Sequence, residues 1–118
     1  MNQTIKNSQG ETLDYTFTSG NEKCRDANWL VILGHGVTGD KDRPVITDTA
    51  KALCDLGLDT LAFSFAGNGA SDGDFRAATI SKEVNDLGAI IDAASDAYDK
   101  IAYIGHSMGG AVGLSRAA

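Results

Sequence analysis

The chain has 118 residues, of which 42% are hydrophobic, enough for one domain with a single core. Sixteen acidic residues against ten basic ones give a net charge of −6. Nucleic acids and anionic membranes are polyanions that such a surface repels, so we expect no nucleic-acid or membrane partner and favour a small-molecule substrate.

The amino-terminal residues and the cysteines predict a cytoplasmic protein. The first residues contain no apolar signal segment, and no apolar run approaches the length that spans a membrane. Cys24 and Cys54 are far apart and form no C-x-x-C motif, which argues against zinc and redox sites. We expect both to be free thiols, as is usual in a reducing compartment.

The first third of the chain predicts a β-hairpin followed by a buried strand. Residues 2–18 alternate between polar and apolar side chains around a turn at Asn7-Ser-Gln-Gly10, which is typical of a hairpin. A polar connection, residues 19–26, leads to the apolar run 28–33, the pattern of a central strand. We expect a single domain, 1–118, in which residues 1–24 form the hairpin and its connection and residues 25–118 form parallel βα units.

The glycine-rich loop from Gly34 to Pro44 has three competing interpretations. Its letters satisfy G-x-G-x-x-G, and Asp59 lies at the distance expected for a dinucleotide fold, but the helix begins only at Pro44 and Asp59 would open the next strand. A phosphate-binding P-loop requires lysine directly after the last glycine, where Asp40 stands. The third interpretation, an oxyanion loop, has His35 and Gly36 turn the backbone so that the N–H of Val37 faces a reacting oxygen.

The middle of the chain predicts a helix, a strand and a second glycine-rich loop. The helix runs from Pro44 to about Leu56, with Leu56 on its apolar face, and Gly57 ends it. A buried strand, residues 59–65, precedes the loop 66–75. The loop carries three oxygen ligands suited to calcium, but the EF-hand spacing is absent, so we predict a tight βα connection and no metal; the three are Asn68, Asp72 and Asp74.

A long amphipathic helix follows. Thr79 is a suitable N-cap, and apolar residues recur at spacings of three and four as far as about Tyr98. We expect its acidic residues to form a solvated face with no catalytic member: Glu83, Asp86, Asp92 and Asp96.

The stretch 100–111 carries the strongest chemical signal. The apolar run 101–104 predicts a strand, and Gly105-His-Ser-Met-Gly109 then turns into a segment of small residues that predicts a helix. This is the pattern of a nucleophile elbow, in which Ser107 is strained and exposed, and the residues two before and two after it pass too close for a side chain. The helix start directs the N–H of Met108 at the serine, where it can bind an oxyanion.

Three motifs in this order resemble the amino-terminal half of α/β-hydrolases, most of all bacterial carboxylesterases of the cinnamoyl or feruloyl esterase and monoacylglycerol lipase type. They are His35-Gly-Val-Thr-Gly39, the stretch 63–73 and Gly105-His-Ser-Met-Gly109. The resemblance covers about residues 25–118. It implies a mostly parallel sheet flanked by helices, ester hydrolysis without a cofactor, Ser107 as nucleophile, and an oxyanion hole from the N–H groups of Val37 and Met108. The family loop usually reads Gly-His-Gly where this chain has Gly67-Asn68-Gly69.

The same resemblance predicts an incomplete catalytic triad. In this family the acid and the histidine follow the elbow, and the sequence ends shortly after Ser107. The two histidines are assigned supporting roles, His35 in the oxyanion loop and His106 pointing from the elbow toward the fold interior. We therefore expect these residues to be nearly inactive alone, and to be either the amino-terminal part of a longer hydrolase or a half that associates with a complementary carboxyl-terminal half or with itself. The alternatives are a non-catalytic association module and, less favoured, a dinucleotide-binding domain.

Overall fold

A computed structural model describes residues 3–25 and 27–117, and within them the chain forms six β-strands and three α-helices. The strands are β1 (Ile5–Lys6), β2 (Thr12–Leu13), β3 (Tyr15–Thr18), β4 (Trp29–Gly34), β5 (Asp59–Phe63) and β6 (Lys100–Gly105). The helices are α1 (Pro44–Asp55), α2 (Ile80–Ala94) and α3 (Met108–Ala117). Three short 3-10 segments lie at Glu22–Cys24, Phe75–Ala77 and Ser95–Ala97.

The main sheet has the strand order β3-β5-β4-β6. Strand β4 lies between β5 and β6 and runs parallel to both, whereas β3 is antiparallel to β5. Helix α1 connects β4 to its neighbour β5, and α2 connects β5 to β6, which lies on the other side of β4. This confirms the predicted α/β fold with a mostly parallel sheet flanked by helices.

The amino-terminal hairpin is shorter than predicted. Only β1 and β2 pair with each other, whereas Tyr15–Thr18 leaves the hairpin and joins the main sheet beside β5. The chain changes partner at Asp14, whose N–H donates to Ser71 Oγ (2.7 Å) and whose carbonyl accepts from the N–H of Ser64 (2.9 Å). Alternation alone does not distinguish one hairpin from a bent strand shared by two sheets. The first predicted hairpin residue, Asn2, lies outside the described residues.

The helices begin and end through recognisable local chemistry. Helix α1 has Pro44 at its first turn and ends before Gly57, whose φ of 92° only glycine adopts easily. Leu56, predicted on the buried face, is 69% exposed and lies one residue past the end of the helix. Helix α2 is capped as predicted by Thr79, whose Oγ accepts from the N–H of Lys82 (3.1 Å), but the α-helix ends at Ala94 rather than near Tyr98.

Both faces of the sheet are covered, and side chains alternate between two cores. The larger core lies under α2 and α3 and includes the fully buried Leu30, Ile32, Leu61 and Phe63. The smaller core lies under α1 and contains Val31, Leu33, Ile46 and Ala62. Adjacent residues of β4 therefore face opposite layers, which explains the continuous apolar run in the sequence.

Asp86 contradicts the predicted solvated face of α2, because none of it is exposed. Its two oxygens accept from Asn7 Nδ2 and from the N–H of Ala66, each at 2.8 Å. The carboxylate thus joins α2 to the amino-terminal hairpin and to the loop after β5. Helical periodicity places Asp86 beside the apolar residue Leu87 but carries no information about donors from distant segments.

No helix within the described ranges is long and apolar enough to cross a membrane.

Candidate active site

The parallel register brings two loops together at the carboxyl edge of the sheet. Gly34, the last residue of β4, lies directly opposite Gly105, the last residue of β6. The N–H of His106 donates to the carbonyl of Gly34 (3.0 Å), which continues the ladder one step beyond the strands. The loop after β4 and the turn after β6 therefore start from the same point of the sheet.

Ser107 lies between the end of β6 and the start of α3 in a left-handed conformation, with φ of 56°. Across the cleft, Thr38 has φ of 59°. A non-glycine residue held in this region costs on the order of 1–3 kcal/mol, and such strain concentrates at functional sites. Among the described residues, these are the non-glycine residues with positive φ, and both are in the two loops that meet at the sheet edge.

The turn at Ser107 depends on glycines for close backbone approach. A Cβ on Gly105 would overlap the carbonyl group of Gly109, and a Cβ on Gly109 would lie 2.6 Å from the carbonyl oxygen of Gly34. Gly36 is less constrained, since a Cβ there would lie 3.3 Å from Ser107 Cβ. The sequence motif therefore has a steric cause: strand, turn and helix touch through positions that have no side chain.

A cavity of about 490 Å³ opens at this point. The residues of the turn 36–39 line it on one side, where the N–H of Gly39 closes the turn on the carbonyl of Gly36 (3.0 Å), and His106 and Ser107 line it on the other. Val37 lies in the turn and is 56% exposed. Met108 is the first residue of α3, and the first N–H groups of a helix have no intrahelical acceptor.

His35 is part of the scaffold of this loop. Only 3% of the residue is exposed, its Nε2 accepts from the N–H of Phe65 (3.0 Å), and its Nδ1 lies 2.7 Å from the carbonyl oxygen of Gly36. Because Nε2 accepts, the proton of the neutral ring is on Nδ1, from which it is donated to Gly36. Burial lowers the pKa of His35, so the ring stays neutral, and both its nitrogens are engaged with backbone.

His106 does not point toward the interior as predicted, because the residue is exposed and lines the cavity beside Ser107. Its Nδ1 lies 3.4 Å from the position that a Cβ on Gly36 would occupy. The ring therefore lies over the glycine of the opposite loop. Within the described chain β6 is the edge strand, so no further strand packs beside the turn to enclose this side chain.

The residues on which the dinucleotide and calcium interpretations depend do not lie together in a ligand site. Asp59 opens β5, at the opposite end of the strand from the glycine loop, and accepts from the N–H of Gly20, from Arg25 and from Tyr98. Asp72 accepts from the N–H of Thr12, and Asp74 caps the 3-10 turn that follows it. Within residues 3–25 and 27–117, no group of three acidic, histidine or cysteine side chains has the arrangement of a metal site.

A second cavity of about 290 Å³, which no sequence motif predicts, shares His35, Gly36 and Val37 with the first. Phe75 and Ile80 line it and are 46% and 44% exposed. Periodicity assigns Ile80 to the buried face of α2, but as the first residue of the helix it reaches the cleft instead. The sequence signal for this cavity was limited to two apolar residues near the start of α2, Phe75 and Ile80.

Comparison with known proteins of similar sequence or structure supports the assignment of this chain to the hydrolases. A family model described as Hydrolase_4, serine aminopeptidase, S33, matches residues 25–118. Est1E from Butyrivibrio proteoclasticus, in a structure with ferulic acid bound, is 28% identical with a TM-score of 0.87 over 98% of this chain and 46% of its own. XC6422 from Xanthomonas campestris, an α/β serine hydrolase without a lid, is 26% identical with a TM-score of 0.87 over 98% of this chain and 54% of its own.

A third similar structure is a serine hydrolase homologue from Coxiella burnetii, 28% identical with a TM-score of 0.82 over 98% of this chain and 55% of its own. No curated protein matches the chain. The chain thus spans about half the length of these structures. Since the family model covers most of the sequence, the chain belongs to the serine aminopeptidase S33 family of α/β serine hydrolases.

Proposed function

We propose that this chain supplies the nucleophile and the oxyanion hole of a carboxylic ester hydrolase. The observation that carries the proposal is the left-handed backbone of Ser107 at a strand-to-helix turn, on a cavity shared with the turn of Val37. A serine hydroxyl held at such a turn is exposed to substrate. The N–H groups of Val37 and Met108 are the proposed donors to the oxyanion.

The proposed reaction has two steps. Ser107 Oγ attacks the ester carbonyl carbon while its proton passes to a general base, and the tetrahedral oxyanion is held by the two N–H groups. The alcohol then leaves with that proton, and water hydrolyses the acyl-enzyme to the carboxylic acid and free Ser107. No cofactor takes part in this chemistry.

We further propose that the base and its acid lie outside these 118 residues. The sequence has two histidines, and His35 has both ring nitrogens in backbone contacts while His106 lies over Gly36. Without the base, the hydroxyl of Ser107 is an ordinary alcohol, and turnover falls by a factor on the order of 10⁴–10⁶. Only the residual rate enhancement from the oxyanion hole is left. The chain alone is therefore expected to be nearly inactive.

The proposed partner is a complementary carboxyl-terminal half that pairs with β6. Within the described chain the outer edge of β6 has no neighbouring strand, and an open edge presents unpaired backbone groups. Ile104 on this strand is 43% exposed and Leu114 on α3 is 78% exposed. Size-exclusion chromatography over a concentration series tests whether the edge associates: a dimer indicates self-association through it, whereas a stable monomer without an exposed strand edge counts against association.

Labelling with a fluorophosphonate probe tests the nucleophile. We expect slow labelling of the chain alone and faster labelling when imidazole is added as an external base, with the modification mapped to Ser107 by mass spectrometry. Ser107→Ala should abolish it, and Ser115→Ala, an exposed serine of α3, should label like wild type. If Ser107 remains unlabelled under every condition, the chain is better described as a non-catalytic association module.

Est1E binds ferulic acid, which makes feruloyl esters a suitable first substrate class for the assembled enzyme.

A cytoplasmic location remains a prediction. It is supported by two cysteines that form no disulfide, of which Cys24 is exposed and Cys54 is buried.

A further inference from the structure

Tyr103 occupies a slot that two glycines create between β4 and α3. It lies on β6, and a Cβ on Gly34 would lie 2.8 Å from its Cζ and overlap its hydroxyl oxygen. On the other side, a Cβ on Gly113 would lie 2.5 Å from the ring. The hydroxyl donates to the carbonyl of Gly109 (2.8 Å). The ring is therefore enclosed by the two segments, and its one polar atom has a fixed acceptor.

The two segments that Tyr103 contacts are the ones that lead to the proposed oxyanion donors. Gly34 ends β4 and precedes the turn that carries Val37, while Gly109 directly follows Met108. Gly109 also approaches the end of β4 closely, since a Cβ there would lie 2.7 Å from the carbonyl oxygen of His35. The first turn of α3 thus contacts the end of β4 in two ways, directly through the backbone of Gly109 and through the side chain of Tyr103.

Burial, followed by the negative charge of Glu83, raises the pKa of Tyr103. The phenol therefore remains protonated and remains a donor at any pH at which the protein is handled. Its acceptor is a main-chain carbonyl with no titration of its own, so the contact is permanent rather than a switch. A permanent contact in this place fits a role in fixing distances.

We propose that Tyr103 is a positioning residue that holds the first turn of α3 over the end of β4 and so sets the distance between the N–H groups of Val37 and Met108. The importance of that distance rests on the proposed function. The contact itself does not, because it can be measured on the chain without any catalysis.

Amide hydrogen exchange provides that measurement. The N–H of Gly109 donates to His106, and those of Gly110 and Ala111 donate to Ser107, so these three amides report on the first turn. Tyr103→Phe keeps the ring and removes only the hydroxyl, and we expect about fivefold faster exchange at the three amides, the effect of one lost hydrogen bond. Amides in the centre of β4 and β5 should change by less than about twofold.

Two further variants make the test specific. Gly34→Ala should accelerate the same three amides, because the new methyl displaces the hydroxyl from Gly109. Tyr98→Phe removes a comparable hydroxyl bond, to Asp59 at the other end of the sheet, and should leave the three amides unchanged. Equal acceleration throughout the protein in Tyr103→Phe, or none at Gly109–Ala111, would overturn the proposal, since the hydroxyl would then be a general stabiliser or irrelevant.

Fluorophosphonate labelling with added imidazole adds the functional readout. Tyr103→Phe and Gly34→Ala should label Ser107 about fivefold more slowly than wild type, while Tyr98→Phe should match it. If wild type itself fails to label, the proposed function fails, and the exchange pattern still decides whether Tyr103 holds the turn. If wild type labels and Tyr103→Phe labels equally fast, the positioning role is refuted and the proposed function stands.

Discussion

Replacing Asp86 with asparagine tests whether this buried carboxylate is held by its hydrogen bonds. Both of its partners are donors, the N–H of Ala66 and Nδ2 of Asn7. An asparagine has one acceptor oxygen, so one buried donor would face an NH₂ group, which costs about 1–3 kcal/mol. The remaining bond would also lose its ionic character, at about 1 kcal/mol.

The opposing effect is desolvation, which raises the pKa of Asp86 despite the two hydrogen bonds. Relief of that burial penalty offsets part of the loss, so we expect Asp86→Asn to lower the free energy of unfolding by about 1–3 kcal/mol at neutral pH. Urea unfolding followed by the fluorescence of Trp29, the single tryptophan, measures the change. Asp92→Asn, on an exposed position of the same helix, is the control and should stay within about 0.5 kcal/mol of wild type.

The pH dependence separates the two effects. Because the folded-state pKa of Asp86 is raised, its contribution to stability is greatest below the unfolded pKa of about 4 and declines as pH rises through the folded value. Asp86→Asn should remove this part of the pH profile. A variant as stable as wild type at pH 7, or more stable, would refute the reasoning, since it would mean that an NH₂ group facing a buried donor costs no more than the relief of desolvation returns.

Three other predictions follow from contacts at the two ends of the sheet. Gly105→Ala should lose about 3 kcal/mol or more in urea unfolding, because its Cβ would overlap backbone of Gly109; a loss below about 1 kcal/mol would contradict this. Burial raises the pKa of Asp59, but hydrogen bonds from three donors outweigh it and hold that pKa below its usual range. Its stabilisation is therefore present above about pH 4 and lost in more acid solution, and Asp59→Asn should flatten acid unfolding followed by circular dichroism. In a proton NMR titration, the pKa of His35 should lie below its usual 6.5, because burial disfavours the charged ring; a midpoint at 6.5 or above would mean that the ring is not buried in solution.

The sequence predicts the order of the elements well because the main signals are local. The continuous apolar run of β4 and the Thr79 cap of α2 each have a cause within a few residues of themselves. The glycine spacing around Ser107 is also local, since Gly105 and Gly109 meet across one turn. Such features are readable from a single chain.

Features that depend on distant segments were not predictable in the same way. Asp86 looks like any acidic residue of an amphipathic helix, and its burial follows only from donors at Asn7 and Ala66. The transfer of residues 15–18 to the main sheet depends on contacts of Asp14 with Ser64 and Ser71. In each case the deciding group lies far away along the chain.

The pairing of Gly34 with Gly105 has a consequence for how the protein acquires its site during synthesis. Strand β4 emerges from the ribosome well before β5 and long before β6, so its two neighbours reach it at different times. Parallel pairing over such sequence separations is slow, because a long loop must close before any ladder bond forms. The cleft therefore forms only after β6 has paired with β4, and we expect changes that delay the arrival of β6 to leave that edge of β4 open to pairing with other nascent chains.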